Sequence, residues 1–505
     1  MRDLTALSAT VLGQSIARGD VSSLEAVEAH IARIEQVNPR LNAVVVKRYD
    51  EARDEARRAD TARLRGESAG PLQGVPMTVK ESLELAGTPS TFGLPARAGV
   101  LAAHDDVHVA RLRAAGAIVI GKTNVSQCLA YTEADNPLYG RTRNPRDPSR
   151  TPGGSSGGEG AIIAAGGSPL GIGTDIGGSV RVPAAFCGIA SFKPTTGRMD
   201  DPGAFSFSPG QRAIVSQCGV LARTVNDVAL GYRIAAQAIG SPFVPVDPAS
   251  LRVRFYTDDG TFTPSPAVRR GVREAAAALR TAGAQVEEWT PPGVREAFHL
   301  FGGLLTADRG AHLRRVLAGG PRTPQLRQLL AVASMPAGMV PALRALLRLL
   351  GQHGLAFNLG AFGAGTADRY WQLVQAQRRY QAQFAEALGD ADIILAPAAS
   401  LPAFLHGATR DLLTAGAYAP LYNLLGWPAG VVPVTQVRPG EESDRPASRD
   451  LLQKLARRVE HGSAGMPVAV QVVARPWQEH VALAAMAVVE AAATDAPPTP
   501  CKVAA

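Results

Sequence analysis

The chain has 505 residues, 46% hydrophobic and 19% charged, so it can bury a large core and does not have the composition of a disordered chain. Its formal net charge is +8, but no Lys/Arg-rich run occurs and aromatics are only 5%, which argues against a nucleic-acid partner. Four scattered cysteines form no C-x-x-C pair, residues 1–5 contain no apolar signal region, and no run reaches 18 apolar residues; a cytoplasmic chain without a disulfide framework or a spanning helix is expected.

Residues 5–38 read as helices, with Ser22, Ser23 and Glu25 at a helix start and Ala26, Val27, His30, Ile31 and Ile34 at helical spacing. Residues 42–47 predict a strand and 50–64 a charged helix. Residues 74–80 read as a short buried strand ending in Lys80. A helix over 106–115 is expected to turn Val107, Ala110 and Leu112 inward, and 117–120 is a strand. Helix then strand, repeated, predicts an α/β core. Residues 151–197 differ in kind, with dense glycine and interleaved serine and threonine. Further on, 265–283 predict an amphipathic helix, 393–397 a strand and 436–465 a loop or exposed helix. Residues 465–473 predict a core strand and 477–493 a last helix.

One stretch breaks the charge pattern. Between Asp308 and Asp368 there is no acidic residue, but there are seven arginines: Arg309, Arg314, Arg315, Arg322, Arg327, Arg344 and Arg348. Met339, Val340, Leu343, Leu346, Leu347 and Leu350 follow helical spacing there, while Arg344 and Arg348 share another face. Pro336 and Pro341 are expected to divide this stretch into a helix-turn-helix.

Three motifs need weighing. Residues 116–123 match the phosphate-loop pattern G-x4-G-K-T, but their middle is an apolar, mostly β-branched strand and not a flexible amide cradle. His104 and His108, four apart beside Asp105 and Asp106, have metal-ligand spacing; a surface helix N-terminus with acids favouring its dipole explains them as well. Residues 153–157 fit G-x-S-x-G, the nucleophile elbow of serine hydrolases, which needs a strand leading in and a helix leading out. Thr151 and Pro152 read as loop, so a Ser–His–Asp esterase built on Ser155 or Ser156 stays an alternative.

The strongest constellation lies elsewhere. Lys80 ends an apolar strand, Ser155 and Ser156 lie in a Gly-Gly-Ser-Ser-Gly-Gly run at 153–158, and Ser179 follows Ile176, Gly177 and Gly178. Acyl transfer needs a nucleophile, a base and oxyanion donors. Ser179 can be the nucleophile, with the consecutive amides before it as donors. Lys80 can be the base if burial lowers its pKa from its ordinary ~10.4 so that it is neutral. A hydroxyl such as that of Ser155 can bridge the two.

Together, Lys80 and the runs 153–160 and 173–184 resemble the amidase signature family. Residues 136–140, 185–188, 192–195, 421–433, 466–471 and 476–479 further resemble its fatty-acid amide hydrolase branch. The resemblance covers roughly residues 5–492. It implies a Ser–cis-Ser–Lys triad of Ser179, Ser155 and Lys80, with an oxyanion hole from the amides of Ile176, Gly177, Gly178 and Ser179. It assigns Asp175 and Arg181 to holding the loop and Ser156 to the hydrogen-bond network. The Leu129 carbonyl is implied to contact the leaving amine. Two departures stand out: the spanning N-terminal helix of membrane-bound members is missing, and Ala130 replaces an aromatic of the acyl channel.

The implied fold is α/β, one large twisted mixed sheet with helices on both faces, spanning 1–505 as a single domain. Residues 320–358 are implied to form a helical cap that meets an anionic membrane surface, a role that arginines without acids on an amphipathic helix would suit. The expected reaction is hydrolysis of a fatty-acid amide or N-acylethanolamine without metal or organic cofactor, in a protein that is peripheral at the membrane and homodimeric. Alternatives are a short-chain, aryl or peptide-derived amide as substrate, the esterase above, or an inactive membrane-binding scaffold.

Overall fold

The computed structural model of the chain describes residues 3–67, 70–200, 210–237, 245–317, 319–336, 338–362, 365–496 and 499–503. Its strands are β1 (Val44–Lys47), β2 (Pro76–Lys80), β3 (Ile118–Thr123), β4 (Asp135–Asn136), β5 (Gly140–Arg141), β6 (Leu170–Asp175), β7 (Ala190–Lys193), β8 (Gln217–Ala222), β9 (Arg252–Phe255), β10 (Gln285–Glu288), β11 (Ile393–Pro397), β12 (Ala429–Gln436) and β13 (Pro467–Ala474). Eleven of them form one sheet in the order β1-β3-β2-β6-β8-β7-β12-β13-β11-β9-β10. The sheet is mixed. β3, β2 and β6 run parallel, as do β11, β9 and β10, and antiparallel pairs occupy the centre.

Helices cover both faces, and the strand sequences explain why. Ile118 and Ile120 pack on one side with Val27, Ile31 and Ile34 of the helix Ser23–Leu41. Val119, between them, packs on the other side with Val109 and Leu112 of the helix Val107–Ala114. This period-2 division of an apolar run is what a sheet buried on two faces requires. Ser22 starts the first of those helices through a capping box, accepting from the Glu25 amide at 3.1 Å while Glu25 accepts from the Ser22 amide at 2.8 Å.

Several expectations are corrected. The helix Val107–Ala114 buries His108, Val109 and Leu112, whereas Val107 and Ala110 are exposed. Asp106 caps it by accepting from the His108 amide at 2.8 Å, and the His108 ring reaches the Ala235 carbonyl at 2.9 Å. The segment is a surface helix start capped by an acid, as expected, but His108 lies on its buried face. No group of three or more metal-ligating side chains occurs among the described residues. The phosphate-loop lookalike is β3, buried along its length. Within 436–465, Leu451–Glu460 is a helix with one face packed through Leu452, Ala456 and Val459. Pro336 lies between the helices Pro324–Ser334 and Met339–Leu349, which meet at 116°, but Pro341 sits in the first turn of the second and does not interrupt it.

What positions the site is the parallel trio β3, β2 and β6. Parallel neighbours end on the same edge, so Lys80 at the end of β2 comes beside Thr174 and Asp175 at the end of β6. That edge is where ligands bind in sheets of this kind. The helix Gly157–Ala164 is drawn tightly onto the trio. A Cβ on Gly158 would lie 2.4 Å from the Asn124 nitrogen and 2.8 Å from the Ala43 carbonyl oxygen. Gly158→Ala is therefore expected to destabilise the fold by about 1–3 kcal/mol through overpacking. Urea denaturation at equilibrium checks this, and an unchanged midpoint would contradict the packing described.

Candidate active site

Lys80 has no exposed surface. Its Nζ donates to Ser155 Oγ at 2.8 Å, to Thr174 Oγ1 at 2.8 Å and to the Thr174 carbonyl at 3.2 Å. The Gly154–Ser155 peptide is cis. Gly154 is pressed against the neighbouring chain segment, since a Cβ there would lie 2.5 Å from the Glu133 nitrogen. Ser156 N donates to the Ser179 carbonyl at 3.1 Å, which joins the two serine loops directly, and Ser156 Oγ lies 3.5 Å from the Thr174 carbonyl. Residues 151–153 form no strand, so the nucleophile-elbow geometry lacks its leading strand.

Ser179 retains 7% of its surface, the most of the three proposed triad residues. It sits in the turn between β6 and the helix Arg181–Cys187, and that turn is organised by Asp175. One Asp175 oxygen accepts from the Gly178 amide at 2.7 Å, and the other accepts from the Val180 amide at 3.1 Å. Arg181 donates to both oxygens, at 3.0 and 3.1 Å. Arg181 also reaches Ala419, Asn423 and Gln471, and the Asn423 amide donates back to Asp175 at 2.9 Å. Burial would raise the Asp175 carboxyl, but the Arg181 charge and hydrogen bonds hold it well below the usual carboxylate range. Gly178 has φ +101°, and a Cβ there would lie 2.6 Å from that of Ala419. Both facts demand glycine at this position.

The amide of Gly178 is thus engaged with Asp175. The set of amides expected to serve an oxyanion narrows to Ile176, Gly177 and Ser179. Leu129 is partly buried, with φ +56°, and its own amide bonds the Ser126 carbonyl at 3.0 Å. Lys80, Ser155, Ser156 and the Ser179 carbonyl are thus joined by hydrogen bonds around Thr174, and Asp175 with Arg181 forms a second set that holds the turn carrying Ser179.

Four members were not anticipated: Thr174, Glu159, Asn423 and Gln471. Glu159 is fully buried and accepts from Thr78 Oγ1 at 2.7 Å and Thr123 Oγ1 at 2.8 Å. Thr78 lies two residues before Lys80 on β2, and Thr123 pairs with Lys80 across β3. Burial pushes the Glu159 carboxyl up to about 8, against the pull of the threonine hydroxyls. Sequence carried a signal for Thr174, which precedes Asp175 in the glycine-rich motif. Asn423 and Gln471 lie in the runs 421–433 and 466–471 that carry the resemblance, but nothing local assigns either to the site.

A buried lysine, two serine loops and a glycine-built turn on a mixed α/β sheet define a serine-dependent acyl-transfer class of site. The Amidase family profile matches residues 25–483. The chain is 35% identical to fatty-acid amide hydrolase 1 of Sus scrofa, over 96% of this chain and 86% of that protein. It is 34% identical to a glutamyl-tRNA(Gln) amidotransferase subunit of Roseiflexus castenholzii, over 86% of this chain and 90% of that protein. A solved fatty acid amide hydrolase superposes with a TM-score of 0.84 at 25% identity, covering 98% of this chain and 86% of the other. The chain belongs to the amidase signature family and is an amide hydrolase with that family's fold.

The Glu159 carboxyl gives a pH prediction with a defined sign. Its pKa is raised on folding, from about 4.5 to about 8, so the stability it contributes is full below 4.5 and is lost as pH rises through 8. Glu159→Gln is expected to flatten the fall in denaturant midpoint between pH 5 and 9 by the order of 1 kcal/mol or more. Parallel curves for both proteins would contradict a carboxyl buried in this way.

Proposed function

We propose that the chain hydrolyses long-chain fatty-acid amides through an acyl-enzyme on Ser179, with Ser155 and Lys80 as its proton relay. The observation that carries the relay is the 2.8 Å contact between Lys80 Nζ and Ser155 Oγ, in a site that excludes water from the lysine. A neutral Lys80 takes a proton from Ser155 as Ser155 takes one from Ser179, and Ser179 Oγ forms its bond to the amide carbon. The amides of Ile176, Gly177 and Ser179 receive the oxyanion. The C–N bond then breaks as the relay returns the proton to the leaving nitrogen. Water gives a proton to the relay as it adds to the ester; the C–O bond to Ser179 breaks, Ser179 Oγ takes that proton back, and the carboxylic acid departs.

The long-chain reading is favoured by an apolar cavity of about 280 Å³ lined by Ala130, Tyr131, Leu329, Val332, Leu343 and Leu347. It lies between the two helices Pro324–Ser334 and Met339–Leu349 and the segment carrying Leu129. Small-molecule pockets run roughly 300–1,000 Å³, so a cavity of this size suits part of an alkyl chain. The Sus scrofa relative's name points the same way. A short-chain or aryl amide remains the competing substrate class, since other amidases match the chain as well.

Residues 320–358 are read as a cap within one domain, and as the lipid-facing part of it. Met339, Leu346, Leu349 and Leu350 are exposed on one helix, Leu349 by 85%. The seven arginines divide in role. Arg309, Arg314 and Arg344 hydrogen-bond backbone carbonyls around the cap, whereas Arg315, Arg322, Arg327 and Arg348 are exposed. The latter four are the ones suited to anionic headgroups.

Two experiments test these readings. Ser179→Ala is expected to abolish amine release from oleamide and labelling by a fluorophosphonate, and Lys80→Ala to cut kcat by about 10²–10⁴-fold. An enzyme that survives Lys80→Ala would instead be a histidine-dependent esterase, and a wild type that resists the probe would be an inactive scaffold. The protein is also expected to float with anionic vesicles at low salt and less so at high salt, with Leu349→Glu weakening it. Absence of flotation under both conditions would overturn the membrane reading.

A further inference from the structure

The segment 127–134 touches both the catalytic loops and the helix Pro324–Ser334. On one side, Ala134 N donates to the Gly153 carbonyl at 3.2 Å, and Glu133 is the residue against which Gly154 packs. The segment also carries Leu129. On the other side, two fully buried side chains reach the start of that helix. Gln127 Nε2 donates to the Pro321 carbonyl at 2.8 Å, and Gln127 Oε1 accepts from the Thr323 amide at 3.0 Å. Glu133 Oε2 accepts from Gln325 Nε2 at 3.2 Å. The same carboxylate accepts from Gly407 N at 3.0 Å and Thr409 Oγ1 at 3.1 Å, and its other oxygen meets His406 Nδ1 at 2.8 Å. Burial alone would raise the Glu133 carboxyl, but the His406 and Gly407 contacts hold it below its ordinary value.

Such a bracket is more than is needed to close a loop. Amide and carboxylate side chains with no exposed surface are costly unless their partners stay in place, so each holds the helix start in one position. We propose that Gln127 and Glu133 are specificity-setting positioning residues: they hold the helix Pro324–Ser334, one wall of the apolar cavity, at a fixed distance from Ser155 and Ser179. In that reading a long acyl chain lies against this wall while its carbonyl sits at Ser179. A short chain need not reach it. The inference rests on the long-chain reading, because only a substrate that spans both elements feels their separation.

Gln127→Leu removes two hydrogen bonds of the bracket while leaving Ser179, Ser155, Lys80 and the cavity lining untouched. It is expected to raise the KM for oleamide about five- to tenfold, with kcat and acetamide turnover changed by no more than about twofold. Amide hydrogen exchange should quicken across 321–334 and stay at wild-type rates across 153–160. Equal losses on both amides, or unchanged exchange at 321–334, would overturn the proposal. Failure of the wild type to turn over oleamide would overturn the substrate reading instead, and the exchange data would then judge the bracket alone.

Discussion

The buried pair of Asp175 and Arg181 is the constraint on which the site depends. Neither side chain has any exposed surface. Between them they satisfy the amides of Gly178 and Val180, the Ala419 carbonyl, Asn423 and Gln471. Removing one partner of such a pair leaves an uncompensated buried charge, at a cost on the order of 3–5 kcal/mol. The pair therefore does two things at once. It bends 176–180 into the turn that presents Ser179, and it ties that turn to β13 through Gln471, far away in sequence. Asp175 commits the Gly178 and Val180 amides and leaves those of Ile176, Gly177 and Ser179 out of its hydrogen bonds.

The lysine site follows from the sheet. β2 and β6 end together, and Lys80 finds Thr174 and Ser155 at 2.8 Å each. Glu159, on the helix Gly157–Ala164 packed over the same strands, is held by threonines, and burial raises its carboxyl. The outer layer has a different logic. The helix Met339–Leu349 turns Leu343 and Leu347 to the cavity and leaves Met339, Leu346 and Leu349 exposed. An apolar surface without a covering element is what a lipid or protein partner covers.

Much of this was legible in the sequence because its signals are local. The apolar run before Lys80, the glycine-rich motifs around Ser155 and Ser179 and the capping box at Ser22 all act within a few residues, and each lies where its pattern predicts. The misreadings came where tertiary contacts override local pattern. Val107 and Ala110 fit an inward helical face, but the sheet takes His108, Val109 and Leu112, and His108 finds the Ala235 carbonyl. Pro341 looks like a helix breaker, yet in a first turn its missing N–H has no bond to lose. Seven arginines look like one basic surface, yet three of them bond backbone carbonyls around the cap. The Gly178 amide, in the run expected to serve an oxyanion, donates to Asp175. Gln471 joins the site through the order of strands in the sheet, and Asn423 through the helix Pro420–Leu425 laid against it. No spacing in the chain encodes either.

The central claim is that the amide carbonyl is transferred to Ser179. The most direct measurement is mass spectrometry of the protein quenched during turnover of oleamide, with the peptide carrying Ser179 separated from that carrying Ser155. An oleoyl group on the Ser179 peptide, absent from Ser179→Ala, is the predicted result. Acylation of Ser155 or Ser156 instead, or steady turnover with no acylated peptide at any quench time, would contradict the mechanism.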